Sequence, residues 1–232
     1  PDMRFFHFLD MDGKHSHICA TVQCAAAAMD WALENILTMG KTLTQETYRQ
    51  VEDLVDTTPP GAEGVFFLPT FMGERTPWWD ANARGTLIGM SLYHGRGHIA
   101  RAAYEGVAQA LHLCDWAVRE NGIAYDTLSL VGGGAQSDIW PQMIADMFAL
   151  KTRVHGHPRQ ATSLGAAMAA GVGVGMFKDY KEASSMAFFD EDYAPDPVRE
   201  AVYVKHFEVY RALYGQIKDA YQAIGAYQAE LG

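Results

Sequence analysis

The sequence predicts an α/β fold in which helices flank a mixed sheet. Short runs of β-forming residues, such as residues 127–131, which we expect to form a buried strand, alternate with longer segments whose apolar residues recur at helical spacing, such as residues 138–150. Three consecutive glycines at positions 132–134 separate these two segments and mark a turn from strand to helix. The 232 residues contain no internal repeat and no hydrophilic linker, so we expect one domain over residues 1–232.

The other elements follow from the same two periodicities. Runs of β-forming residues bounded by turn residues predict strands at residues 4–9, 17–22, 65–68, 127–131 and 152–155. The first two strands flank Asp12, Gly13 and Lys14, a turn signature, and should form a hairpin. Apolar residues at helical intervals predict helices at residues 24–37, 44–55, 98–119, 138–150, 162–171 and 198–231. Residues 70–87 are predicted to be irregular.

Two of the predicted helices are rich in small residues. Alanines 25–28 would leave the start of the first helix open to another group, although alanine is also simply a good helix former. The helix at 162–171 carries a smooth face, which is suited to close packing against another element: Gly165, Ala166, Ala169 and Ala170. Residues 163–177 are too short and too rich in glycine for a membrane span, so we expect a buried helix and turn.

Two other regions leave alternatives open. Glu74 and Arg75, in an irregular region with two tryptophans, could hold a loop near a cleft or form a plain surface ion pair. Aromatic residues in the final helix could face a partner or, as we favour, the chain's own core. These aromatic residues are Tyr203, Phe207, Tyr210 and Tyr214.

Charge and cysteine content exclude several classes of protein. The formal net charge of −10 provides no basic surface for nucleic acid or for an anionic membrane. The three cysteines lack CxxC spacing, so we expect buried thiols and neither disulfides nor a zinc site. No signal peptide is recognisable, and we therefore expect a cytoplasmic protein.

The turn at Gly132, Gly133 and Gly134 is the candidate functional motif. Residues without a Cβ let another molecule lie against the backbone, and the first N–H groups of the following helix favour a polar ligand. The motif is neither GxGxxG nor a Walker loop, because no later glycine and no Gly-Lys-Ser/Thr follow. Two interpretations therefore stay open: a binding site for a nucleotide, or a turn that only lets the helix pack tightly on its strand.

Several motifs together resemble the carboxy-terminal domain of the FGGY carbohydrate kinases, within the actin-like ATPase (ribonuclease H-like) superfamily. Gly-Thr-Leu-Ile-Gly-Met at residues 85–90, followed after seven residues by His-Ile-Ala-Arg-Ala-Ala-Tyr-Glu at residues 98–105, fits the second signature of that family at every position. Further matching segments occur in the family's order at residues 71–77, 131–137 and 163–167. The sequence Gly-Glu-Arg-Thr-Pro at residues 73–77 is most similar to the corresponding segment of xylulokinases.

This resemblance implies a kinase that moves the γ-phosphoryl group of ATP, with magnesium, onto a sugar hydroxyl. It also implies that the glycine turn receives the adenosine and that the early helix lines the nucleotide site. The residues at the matching positions are Gly133, Gly134 and Ala135 as backbone surface, Asp138 as a polar contact, and Ala26 and Asp30 on the early helix. Residues 85–105 and the helix after Ser163 would be scaffold.

In the family, an amino-terminal domain holds the phosphate loop, the sugar contacts, the catalytic aspartate and most of the magnesium site. We therefore expect this sequence to be part of a longer protein, assign it no catalytic and no metal-binding residue, and expect it to be inactive alone. Xylulose is the first expected sugar, followed by ribulose, gluconate and glycerol. The alternative from a different class is a non-catalytic interaction or assembly domain, with a homodimer as one form.

Overall fold

The computed structural model describes residues 2–231 and contains the following elements. The strands are β1 (Phe6–Leu9), β2 (Ser16–Cys19), β3 (Phe66–Leu68), β4 (Thr86–Ile88), β5 (Thr127–Leu130), β6 (Lys151–His155) and β7 (Phe189–Tyr193). The helices are α1 (Ala25–Ala32), α2 (Gln45–Asp56), α3 (Arg96–Glu120), α4 (Trp140–Phe148), α5 (Ala161–Gly173), α6 (Tyr180–Ser184) and α7 (Pro197–Leu231). Helix α1 continues as a π-helical turn over Leu33–Leu37.

The structure divides this chain into two compact units. The first unit comprises Ala20–Ile123, together with the beginning of the chain up to Phe5 and its end from Asp196. The second unit comprises Phe6–Cys19 and Ala124–Pro195.

Helix α3 is the centre of the first unit. It packs against α1, α2, α7 and β3, and β3 pairs antiparallel with β4 so that Phe66 lies opposite Ile88. The helix can approach β3 closely because Gly106 has no side chain: a Cβ there would lie 2.1 Å from the carbonyl oxygen of Phe67. It ends at Asn121 and Gly122, where Gly122 adopts a positive φ of 76°.

The second unit contains the mixed sheet that the sequence predicts. Its strand order is β5-β6-β7, with β5 and β6 parallel and β6 and β7 antiparallel. Helix α4 packs against β6, and its Met143, Ile144 and Met147 are buried. The predicted hairpin is also confirmed, with β1 and β2 paired antiparallel from Phe6 opposite Cys19 to Leu9 opposite Ser16.

The predicted strands and helices all occur, with shifted ends, but three elements were missed: β4, α6 and β7. Residues 189–193 read Phe-Asp-Glu-Asp-Tyr, and three acidic residues suggest a turn rather than a strand. The acidic side chains are tolerated because β7 is an edge strand and Asp190, Glu191 and Asp192 are exposed.

Residues 127–131 are half-buried to exposed, with Val131 55% exposed, so the expectation of a buried strand was wrong.

The expectation of a buried, closely packed α5 was also wrong. Gly165, Ala166 and Ala170 are exposed, and a Cβ on Gly165 would meet no described atom within 4 Å. Helix α5 packs mainly against the short helix α6, which leaves most of its surface open. Small residues permit close packing but do not create it, because burial also requires an element to cover the face.

The aromatic residues of α7 are used by the first unit itself. Tyr203 and Tyr210 are each 1% exposed, and Tyr210 packs with Leu68 and Leu113 in the core. The interpretation that these aromatics face the chain's own core is confirmed.

All three cysteines are free thiols, and Cys24 and Cys114 are buried while Cys19 is half-buried. Over the described residues, no helix combines the length and apolar character that a membrane crossing requires.

Candidate functional site

The glycine turn connects β5 to α4 through a short 3-10 helix at Gly134–Gln136. The hydroxyl group of Ser137 then accepts hydrogen bonds from the backbone N–H groups of Ile139 (3.3 Å) and Trp140 (3.0 Å). Ser137 therefore satisfies two of the N–H groups at the start of α4, which begins two residues later than predicted. Asp138 does not cap the helix and lies exposed in the loop before it.

The three glycines have different surroundings. A Cβ on Gly132 or on Gly133 would meet no described atom within 4 Å, so the backbone there faces open space. A Cβ on Gly134, in contrast, would lie 2.7 Å from the ring of Trp140. Ala135 is buried. The packing interpretation therefore fits Gly134 and Ala135, whereas Gly133 has no packing reason to lack a side chain and fits a backbone surface for a ligand.

Two hydrogen bonds fix the shape of this turn. The N–H group of Gly132 donates to the carbonyl oxygen of Pro158 (2.8 Å), which ties the end of β5 to the segment before α5. The N–H group of Gln136 donates back to the carbonyl oxygen of Gly133 (3.0 Å). Gly132 has a φ of 88°, which a side chain would strain. These hydrogen bonds fix the backbone conformation that leaves Gly133 open to solvent.

Helix α1 presents the other predicted positions, in the first unit. Ala26 is exposed, whereas Ala28 and Ala32 are buried in a core cluster that includes Ala102 and Ala103 of α3. Asp30 is half-buried, and its carboxylate accepts a hydrogen bond of 2.7 Å from the hydroxyl group of Tyr48 on α2. Ala26 is therefore available to a ligand, while Asp30 also holds α1 against α2.

The burial of Glu74 and its contacts with backbone were not predicted from the sequence. It is 5% exposed, and its Oε1 accepts hydrogen bonds from the backbone N–H groups of Gln23 and Arg75, both at 2.8 Å. Burial raises the pKa of Glu74, and the two N–H donors oppose this rise. A surface ion pair with Arg75 is therefore the wrong description, because the carboxylate is buried and binds backbone.

The polar residues of the 98–105 motif form a buried network. Glu105 is completely buried and accepts from the N–H group of Gly61 (2.9 Å), from Nε of Arg101 (2.7 Å) and from the hydroxyl group of Tyr203 (2.9 Å). Arg101 also donates to two backbone carbonyl oxygens at the end of α2 and beyond it. Burial raises the pKa of Glu105, although the neighbouring guanidinium opposes this. The network joins α2, α3 and α7, which makes it a scaffold feature.

A cavity of about 450 Å³ lies on the sheet of the second unit, at the opposite end of β5 from the glycine turn. It is lined by Thr127, Lys151, Arg153, Phe189, Asp190, Glu191 and Asp192. Three of its charged residues have partners within the sheet: Lys151 lies 2.6 Å from Asp192, and the guanidinium of Arg153 lies 3.7 Å from the centre of the Phe189 ring. Among residues 2–231, no group of three or more His, Cys, Asp or Glu side chains could hold a metal ion.

The predicted contacts thus fall into two local sets. Gly133, Gly134, Ala135 and Asp138 lie within one turn of the second unit, and Ala26 and Asp30 lie on one helix of the first unit. Each set contains an exposed backbone or a small side chain that another molecule could contact, at Gly133 and at Ala26.

Comparison with known proteins gives consistent results. A family model described as "FGGY family of carbohydrate kinases, C-terminal domain" matches residues 9–174. The chain is 33% identical over 225 residues to a xylulose kinase of Bacillus subtilis, covering 96% of this chain and 44% of that protein. Two crystal structures from Lactobacillus acidophilus, each 27% identical, cover 95% of this chain: a ligand-bound xylulose kinase (TM-score 0.85) and a gluconate kinase (TM-score 0.83). The chain spans 44% of each.

Proposed function

Because this chain belongs to the FGGY family of carbohydrate kinases, with the actin-like ATPase fold, we propose that it is the nucleotide-binding portion of an ATP-dependent sugar kinase. The observation that carries the proposal is the open backbone at Gly133, which follows a strand and precedes a helix. A purine nucleoside needs such a surface because a flat ring can contact backbone closely only where no side chain intervenes.

Each predicted contact has a role in this proposal that its surroundings support. In the second unit, Gly133 offers open backbone, Gly134 and Ala135 hold the turn against its own core, and exposed Asp138 offers a carboxylate to a polar group of the ligand. In the first unit, Ala26 offers a small exposed side chain and Asp30 a carboxylate that Tyr48 orients.

The reaction we propose is transfer of the γ-phosphoryl group of ATP to a sugar hydroxyl, with xylulose or a related pentulose favoured. Relatives with high similarity are named xylulose kinases, while gluconate and glycerol kinases also match, and ribulose is a further candidate. Phosphoryl transfer depends on charged groups placed around the phosphate and on a base for the attacking hydroxyl. We assign these groups and the magnesium ligands to the remainder of the kinase, so this chain alone is inactive.

The structure removes the main support for the second candidate function, a non-catalytic interaction domain. Its motive was the aromatic face of α7, and Tyr203 and Tyr210 of that face are buried within the first unit. A homodimer remains a prediction, which light scattering after size exclusion would measure.

Titration of the full-length kinase with ADP tests the nucleotide site. We expect Gly133→Val to weaken ADP binding about fivefold or more, because a side chain would intrude where backbone contact is needed, an overpacking cost of roughly 1–3 kcal/mol. The control is Gly215→Val on α7, another glycine at which a Cβ would meet no described atom within 4 Å. Isothermal titration calorimetry gives both affinities. Equal ADP affinity in Gly133→Val and wild type would contradict the assigned site.

A further inference from the structure

The Gly-Glu-Arg-Thr-Pro segment, Gly73 to Pro77, binds the backbone that leads into α1. The N–H group of Thr76 donates to the carbonyl oxygen of Thr21 (3.1 Å), and the N–H group of Thr21 donates back to Oγ1 of Thr76 (3.1 Å). The N–H group of Gln23 donates to Oε1 of Glu74 (2.8 Å). Three hydrogen bonds therefore join two segments that are more than 50 residues apart in sequence.

This segment is itself rigidly held, so it can position what it binds. Glu74 and Asp80 exchange two backbone hydrogen bonds of 2.9 Å, which close the loop. Gly73 adopts a φ of 78°, and a Cβ there would lie 2.8 Å from the carbonyl oxygen of Asp80. Glu74 is 5% exposed and Thr76 is 1% exposed, and the Thr76 hydroxyl also donates to the carbonyl oxygen of Arg4 (2.8 Å).

The start of α1 depends on such external support. The residue that precedes the helix, Cys24, provides no side-chain cap, and Ala25 adopts a φ of 32°, a conformation that residues with a side chain rarely take. A conformation of this kind persists only where the surrounding structure fixes it. The bond from Gln23 to Glu74 lies two residues before Ala25, and Ala26 follows directly.

We propose that Glu74 and Thr76 are positioning residues for the nucleotide: they set the course of residues 21–23 and thereby place Ala26 of α1 against the bound nucleotide. This inference rests on the proposed function, because Ala26 is a contact only if the chain binds a nucleotide. Both residues are buried, so we assign them an effect through residues 21–23 and no direct contact with the nucleotide. Their effect should therefore appear in the KM for ATP and in ADP affinity, with the KM for the sugar unchanged.

The chain offers a matched pair of substitutions to test this. Thr76→Val and Thr70→Val remove the same hydroxyl group from two threonines of the same region, which are 1% and 2% exposed. The hydroxyl of Thr70 donates to the carbonyl oxygen of Arg84 (2.7 Å) and does not reach residues 21–23. In the full-length kinase we expect Thr76→Val to raise the KM for ATP about tenfold, as the loss of one or two buried hydrogen bonds allows, and Thr70→Val to leave it unchanged.

Glu74 provides an independent test with a conservative rescue. Glu74→Ala removes the acceptor for the Gln23 N–H group and should weaken ADP binding, whereas Glu74→Gln keeps an oxygen at that position and should restore most of the affinity. Hydrogen exchange of the Gln23 amide in the ligand-free protein reads the contact directly, even in a variant with little activity. Exchange should be fast in Glu74→Ala and slow in wild type and Glu74→Gln.

The outcomes separate this inference from the proposed function. If Gly133→Val weakens ADP binding but Thr76→Val and Glu74→Ala do not, the nucleotide site stands and the positioning role is wrong. If the KM values for ATP and sugar rise together in Thr76→Val and in Thr70→Val, the segment supports the fold in general, which also overturns the inference. If wild type binds no ADP, the proposed function itself fails.

Discussion

Helix α3 and the glycine turn both depend on glycine, but for opposite reasons. At Gly106 of α3, a Cβ would lie 2.1 Å from the carbonyl oxygen of Phe67, so the protein's own packing requires glycine. At Gly133 in the turn, a Cβ would meet no described atom within 4 Å, so packing gives no reason for glycine. The fold explains the glycine at position 106, and we propose that a ligand explains the glycine at position 133.

The polar residues of the two regions differ in the same way. Arg101 and Glu105 of α3 are buried and bind one another, whereas Asp138 beside the turn is exposed. Both regions carry motifs that resemble the same family, yet one motif preserves a core and the other offers a surface. Burial therefore separates the structural part of a family signature from the part that can meet a ligand.

The largest effect should come from the buried carboxylate of α3. Glu105→Ala leaves the guanidinium of Arg101 buried without its anion, and we expect the free energy of unfolding to fall by about 3–5 kcal/mol. Glu120→Ala on the same helix is the control, since Glu120 forms an exposed ion pair with Arg4 (2.8 Å) and should cost less than about 1 kcal/mol. Urea denaturation measures both. Similar losses in the two variants would mean that burial does not distinguish these carboxylates.

A pH effect should follow from His206, which lies beside this network. Burial, together with the charge of Arg101, lowers the pKa of His206 from 6.5 to about 4. Between these values the unfolded chain binds a proton that the folded chain does not, so stability falls as the pH falls. We expect His206 to account for a loss of about 2 kcal/mol between pH 7 and pH 5.

The variant His206→Gln isolates this contribution from the other groups around it. The groups facing His206 are Phe66, Gln109, Arg101, Glu105 and Tyr203. Burial raises the pKa of Glu105, which acts in the opposite direction, and His112 has a pKa of about 4 of its own. The measured quantity is therefore the difference between wild type and His206→Gln in urea denaturation at the two pH values. An identical pH dependence in both proteins would contradict the assignment.

The sequence predicted those parts of the fold in which local pattern and burial agree. The hairpin of β1 and β2, the helix α3 and the strand-to-helix turn all have a periodicity and a turn signal of their own. Strand β7 does not, because its pairing with β6 overrides an acidic sequence that is unfavourable for a strand by itself. The exposed face of α5 could not be predicted for the opposite reason, since its pattern indicates packing and nothing in the described chain covers it.

The sequence likewise predicted only those features of the candidate site that depend on residue type alone. The open backbone at Gly133 follows from glycine alone, so the sequence could indicate it. The roles of Ser137 as a helix cap and of Glu74 as an acceptor for Gln23 depend on which backbone N–H groups the fold brings near them. A contact between residues 51 positions apart has no local signal, and only the tertiary structure reveals it.

The smallest effect, and the one that sharpens the comparison most, concerns two adjacent glycines. Gly134→Ala should lower the free energy of unfolding by about 1 kcal/mol, because its Cβ would lie 2.7 Å from the ring of Trp140 and the ring must shift. Gly133→Ala should change stability by less than about 0.5 kcal/mol, because its backbone is helical and the space beside it is open. For ADP affinity we expect the reverse order, with the larger loss in Gly133→Ala. Urea denaturation and calorimetric titration of both variants provide the two rankings, and if stability and affinity rank the glycines alike, the turn has a single packing role.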